Sequence, residues 1–168
     1  MKKSYETRAK KFIKDFFPYL KIELDCAVYP IAGATKAVKK FNLAHHRNVE
    51  VRNGATRIVF ITSDYVVKME YSGSVETWGG NQSEADHYEN AKRDGFEYLF
   101  AKPTLYEYER IDWLIMPKAT NIGNSRIWTK LDDVEQDWIW SNIGDTHENN
   151  YGTIKGNFAL IDYACSPW

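Results

Sequence analysis

Cysteine is nearly absent: Cys26 and Cys165 are the only two in 168 residues, and they lie far apart. Neither a disulfide framework nor a zinc site can be built from them, so a reducing, cytoplasmic setting is expected. Long apolar runs are lacking too. No segment nears the unbroken length that a membrane span requires. Near the start, Phe12-Ile-Lys-Asp-Phe-Phe is broken by charge, unlike the apolar core of a signal peptide. An excess of one charge is also missing. With 22 basic and 23 acidic residues, net charge −1 and a pI near 6.4, general electrostatics give no reason to expect nucleic-acid or membrane binding. Internal repeats and low-complexity runs are absent, and His45-His46 has no third ligand at metal spacing and reads as surface.

What is present suits a compact fold. The chain is about one domain long, and at 43% hydrophobic and 15% aromatic it can fill a core. Six tryptophans read most simply as core and junction anchors. Residues 4–17 have Phe12, Ile13, Phe16 and Phe17 on one face of an amphipathic helix that Pro18 is expected to stop. This stripe reads as core packing. Basic residues crowd the same region: Lys2, Lys3, Arg8, Lys10, Lys11 and Lys14. A solvated helix face accounts for them, with a partner-binding surface as the alternative. Residues 22–48 suggest no role.

From residue 49 the pattern becomes informative. Val49 to Ile61 alternates and then runs apolar around Gly54, the pattern of a hairpin. Tyr65-Val-Val-Lys68-Met-Glu is a β-branched strand carrying one lysine. Burying that lysine without a partner would be costly, so it either faces solvent or meets a carboxylate. A helix follows over 81–92 with Glu84 and Glu89, ended by Gly95. Segments 96–100, 105–109 and 112–116 read as strands, giving a sheet of about five backed by one helix. Residues 120–128 form a polar link, and Lys130 to Trp140 has apolar residues at helical spacing. Tyr151 to Gly156 reads as a hairpin leading into the buried strand Asn157-Phe-Ala-Leu-Ile, which delivers Asp162.

Asp145 precedes Asn150 by five positions, and Asp162 follows twelve positions later. Alone, Asp and Asn at this spacing fit a polar loop. Gly54-Ala-Thr-Arg-Ile-Val-Phe, Val66-Val-Lys68, the Glu84 helix, Trp113-Leu-Ile-Met116-Pro-Lys118, Gly144-Asp145-Thr-His147-Glu-Asn-Asn150 and Ile161-Asp162-Tyr163 together resemble the protein-kinase-like superfamily. The D-x-H-x-x-N form is closest to the aminoglycoside-phosphotransferase-like branch and to small bacteriophage-encoded kinases. Order and spacing from about residue 49 onward carry the resemblance.

The resemblance implies an α+β fold of two lobes, with a small N-lobe sheet plus helix and a strongly truncated C-lobe. The implied divisions are an N-terminal helical extension (1–48), an N-lobe (49–118) and a minimal C-lobe (119–168). ATP and Mg²⁺ are the implied cofactors. Lys68 would contact the α and β phosphates, oriented by Glu84 or, as second choice, Glu89. Gly54 would let the backbone approach the nucleotide, and residues 116–119, including Met116 and Lys118, would link the lobes and meet the adenine ring. Asp145 would accept the acceptor hydroxyl's proton, and Asn150 and Asp162 would bind the metal. His147 would order the loop.

The sequence departs from the pattern in three places. One glycine stands where protein kinases have three, Ala164 stands two after Asp162, and only Tyr163 to Trp168 follow Asp162. The expected function is an ATP- and Mg²⁺-dependent phosphotransferase acting on protein side chains, its own or a host factor's. The alternative is a pseudokinase that binds a partner without transfer.

Overall fold

The computed structural model describes residues 3–54, 57–70, 80–143 and 146–163. The chain is α+β and divides into two compact units, one drawn from residues 1–76 and 104–118, the other from 77–103 and 119–168.

The first unit is a five-stranded antiparallel sheet carrying two helices. Strands β1 (Glu50–Asn53), β2 (Arg57–Ile61), β3 (Tyr65–Glu70), β4 (Thr104–Tyr108) and β5 (Ile111–Pro117) lie in the order β1-β2-β3-β5-β4. The chain thus has the small sheet that the resemblance implies, with a helix placed in sequence between β3 and β4. Lys68 stands opposite Val59 on β2 and Leu114 on β5. A two-sided neighbourhood of this kind places it at the sheet's centre.

Helix α1 (Tyr5–Asp25) packs against β3, β4 and β5, and α2 (Pro30–His45) packs against α1 and β1. The apolar stripe read from the sequence is core: Phe12, Ile13, Phe16 and Leu20 are buried. Phe16 meets Phe60 of β2 at 5.0 Å and Phe41 of α2 at 5.4 Å between ring centroids. Rings held edge-on in this way add to area burial. Pro18 does not stop the helix, which runs on to Asp25. The carbonyl that Pro18 leaves without a donor belongs to Lys14, and both residues are exposed. Water can serve that carbonyl while Leu20 continues the buried stripe.

Residues 22–48, unassigned from sequence, complete α1 and form α2. Gly33 lets the helices approach: a Cβ there would lie 2.8 Å from the Glu23 carbonyl oxygen. The Asn42 side chain pairs with both backbone groups of Val49, at 2.9 and 3.0 Å, and ties α2 to the start of β1.

The second unit holds α3 (Asn81–Asp94), α4 (Asp133–Asn142) and the hairpin of β6 (Tyr151–Ile154) and β7 (Asn157–Leu160). Gly95, with φ of 84°, caps α3 as expected. Residues 96–100 do not form the expected strand. They make a 3₁₀ turn over Glu97–Leu99, then a single bridge from Phe100 to Leu160. Phe96 and Phe100 both contact Trp138, at 5.0 and 5.8 Å between centroids. Extended backbone would separate those two residues by roughly 13 Å, so one indole could not serve both.

Helix α4 starts at Asp133, later than the Lys130 expected, because Asp132 and Glu135 form a capping box with both bonds at 2.8 Å. The preceding residues Ser125–Lys130 are 3₁₀ instead of simple link. Trp128 there packs on Tyr151, Phe158 and Trp140. The start of the link is pinned to β6, where Thr120 and Thr153 exchange backbone hydrogen bonds at 2.9 and 2.7 Å.

That contact needs a glycine. A Cβ on Gly152 would stand 2.7 Å from the Thr120 carbonyl oxygen and 3.2 Å from Ala119 Cβ. Gly152→Ala is therefore expected to destabilise the protein by about 1–3 kcal/mol. Urea unfolding followed by tryptophan emission checks this: the midpoint should fall at constant slope, and an unchanged midpoint would show that residues 119–123 yield without cost.

Candidate active site

The second unit brings two of the predicted residues together. The β6–β7 hairpin turns through Lys155 and Gly156, both with positive φ (53° and 87°), which is the two-residue turn matching strand twist. Tyr151 stands opposite Leu160 at the open end. One step further, the Asn150 carbonyl accepts the amide N–H of Ile161 at 2.8 Å and of Asp162 at 3.3 Å. The two predicted metal ligands are thus clasped at the backbone.

Each has its own support. Asn150 closes a 3₁₀ turn, Glu148–Asn150, and its N–H donates to the His147 carbonyl at 2.7 Å. The His147 Nδ1 accepts the Asn149 N–H at 3.3 Å and caps that turn. This is an ordering role for His147. On the other side, Tyr163 is fully buried, its hydroxyl donates to the Ala101 carbonyl at 2.8 Å, and Phe100 packs edge-on against it at 4.8 Å. The main chain around Asp162 is therefore held from both directions. Sequence reading assigned Tyr163 no role, and an aromatic beside an acidic residue is too common a signal to have shown one.

Gly144 and Asp145 lie outside the described residues. The expected proton acceptor therefore has no structural account, though Ile143 and Thr146 flank it.

In the first unit, Lys68 is 4% exposed, so the solvent-facing alternative for it fails. An ammonium group is rarely buried unless another group engages it. Gly54 donates its N–H to the Arg57 carbonyl at 2.8 Å and closes the β1–β2 turn. The central positions of that turn, 55 and 56, lie outside the described residues. Met116 is buried on β5, opposite Val66. The Lys118 N–H donates to the Asp64 carbonyl at 3.1 Å, so that donor is already committed. Lys118 and Ala119 lie on either side of the last of the three places where the chain passes between the units.

In the second unit, the buried face of α3 is polar. Glu84 is fully buried together with Asn81 and Ala91, whereas Glu89 is exposed and bonds Lys92 at 3.3 Å. Buried carboxylates are uncommon and mark candidate functional positions. Of the two glutamates, the structure distinguishes Glu84 in this respect.

One turn on from Glu84, His87 is held neutral. Desolvation by burial lowers its pKa below the usual 6.5, with Asp86 opposing the effect, and among the described residues its Nδ1 has no hydrogen-bond partner. Because the folded state resists protonation, the unfolded chain binds more protons once pH falls below about 6.5. Stability should therefore decline between pH 7 and pH 5, and His87→Gln should flatten that decline. Urea midpoints across this range check it; identical pH profiles for the two proteins would exclude His87 as the source.

No protein-family model matches the chain, and no curated protein matches it. Solved structures of WbdD do. Monomeric WbdD is 16% identical with a TM-score of 0.34, covering 65% of this chain and 32% of that one. The bifunctional kinase-methyltransferase WbdD is 18% identical with a TM-score of 0.30, covering 65% and 29%. WbdD with the kinase inhibitor LY294002 is 18% identical with a TM-score of 0.32, covering 68% and 32%. This chain thus spans about a third of the length of those proteins, and at such scores the likeness carries no weight for activity. Among the described residues, no helix is long and apolar enough to cross a membrane.

Proposed function

We propose that the chain is a phosphotransferase using ATP and Mg²⁺, a compact kinase acting on serine or threonine side chains of itself or of a partner such as a host protein. The observation that carries this reading is the clasp at the open end of the β6–β7 hairpin, where Asn150 receives the amides of Ile161 and Asp162. It places an amide-bearing and a carboxylate-bearing residue, both suppliers of hard oxygen donors, on backbone fixed from two sides. Among the described residues no group of three or more His, Cys, Asp or Glu is gathered to hold a metal. Two protein donors, completed by phosphate oxygens, suit the way Mg²⁺ is held with nucleotides.

When bound, Mg²⁺ would offset charge on the transferred phosphoryl group. Asn150 and Asp162 would hold it, with His147 and Tyr163 keeping their backbones in place. Lys68 would supply a cation to the nucleotide phosphates from a rigid central strand, and burial strengthens such a charge by excluding water. Asp145 would accept the proton of the attacking hydroxyl, and Gly54, Met116 and Lys118 keep the nucleotide-side roles that the resemblance implies.

Incubation of the purified protein with γ-labelled ATP and Mg²⁺, alone and with a cell lysate, tests the reading. Asp145→Asn should retain fold and nucleotide affinity while labelling falls by roughly 10²–10⁴-fold. Labelling that persists in this variant would remove Asp145 from the chemistry. Asp162→Ala should lose Mg²⁺-dependent nucleotide binding in calorimetry. A parent protein that binds Mg²⁺-nucleotide but labels nothing would leave a binding protein without transfer.

Lys68→Met and Glu84→Gln should each weaken nucleotide binding, and the double variant should lose less than the sum, as coupled residues do. Additive losses would separate their roles.

A further inference from the structure

The first unit has a cavity of about 840 Å³ where the start of α1, the end of α2 and the β2–β3 turn meet. None of the residues assigned above to phosphoryl transfer lines it. Its lining carries four cationic side chains, Lys3, Arg8, Lys11 and Arg47, against two carboxylates, Asp15 and Asp64. This local excess of positive charge stands out in a chain whose net charge is −1.

The cations are not equally available. Arg8 bridges to Asp64, and Lys11 to Asp15 at 2.6 Å. Among the described residues no carboxylate holds the side chain of Lys3 or Arg47. Arg47 lies near enough to Tyr65 to act on its phenol, which burial above all holds up at about 12, so the group remains an O–H at neutral pH. That hydroxyl donates to the Arg8 carbonyl at 3.5 Å. The cavity therefore has an aromatic wall between cations contributed by separate elements.

We propose that this cleft binds an acidic peptide segment of a partner protein. Four cations drawn from separate parts of the chain, two of them already paired with carboxylates, suit several carboxylates along a segment better than one compact phosphate, which needs donors converging on a point. Nucleic acid would demand a larger uninterrupted basic surface than four cations opposed by two acids. The crowding of basic residues at the start of the sequence thus acquires a use: Lys3, Arg8 and Lys11 face the cleft. The inference stands independently of phosphoryl transfer, since a partner could be held here whether or not it is modified.

Fluorescence anisotropy of the full chain with a labelled Glu-rich decapeptide carrying one central Phe tests it, with a Lys-rich peptide of the same design as control. The Lys3→Glu/Arg47→Glu variant reverses two exposed charges and should keep its fold, as circular dichroism would verify. Lys36→Glu/Lys39→Glu makes the same charge change on exposed positions of α2 that do not line the cleft. The acidic peptide should bind the parent, bind the first variant at least about tenfold more weakly, and bind the second as it binds the parent. Affinity should fall as salt rises. Equal weakening by both variants would reduce the effect to net charge. No binding, equal binding of the Lys-rich peptide, or displacement by inorganic phosphate or a DNA duplex at lower concentration than unlabelled peptide would each overturn the proposal. Unchanged nucleotide binding by the Lys3/Arg47 variant would show that failure here is separate from failure of the kinase reading.

Discussion

The Asn150 carbonyl accepts two amides, and the hairpin between its donors and itself cannot slip without releasing them. A slip of β6 by one residue would send its side chains to the opposite face. It would also carry Gly152 away from Thr120 and bring a side chain against that carbonyl, where no Cβ fits. Register, link and the spacing of Asn150 and Asp162 are thus fixed together. The polar residues of the site tolerate exposure because apolar and backbone contacts behind them carry the rigidity: Tyr163 on Ala101, Trp128 on Tyr151 and Phe158, and Thr120 on Thr153.

The first unit solves a different problem. One face of its sheet is covered by an aromatic cluster centred on Phe12 and Phe16, with Phe41 and Phe60 set edge-on or tilted to them. Close-packed rings of this kind leave little room for rearrangement, and the central strand bearing Lys68 inherits that stiffness. A buried ammonium group on a stiff strand differs from a flexible surface lysine, because its position is decided by the core and not by solvent.

Much of this was visible in residue order. Alternation located the β1–β2 hairpin and β3, and Gly95 marked the end of α3. The clasp was half visible: Tyr151 to Gly156 read as a hairpin leading to Asp162, but the shared carbonyl depends on a register that composition does not encode. Elsewhere local rules were overridden by packing. Pro18 reads as a stop, yet the buried stripe continues past it and the unserved carbonyl faces water. Residues 96–100 have strand-like composition, yet two rings converge on Trp138 and demand a turn. The burial of Lys68 and of Glu84 was undecided by sequence, because a lysine on a strand or a glutamate on a helix fits the surface equally well until neighbours are known. The basic cleft was the least visible, being assembled from three elements far apart in the chain.

The division of the chain between its units has a consequence for synthesis. Residues of α3 and the following 3₁₀ turn belong to one unit but lie between β3 and β4 of the other. As the chain emerges from a ribosome, the sheet waits with β3 unpaired on one side until β5 arrives, and by then the other unit's first helix has already been made. No single cut separates the two. A truncation at any point between β3 and β5 strips the central strand of its partner on that side, and turns the best-protected ladder of the sheet into the kind of edge that pairs with other chains.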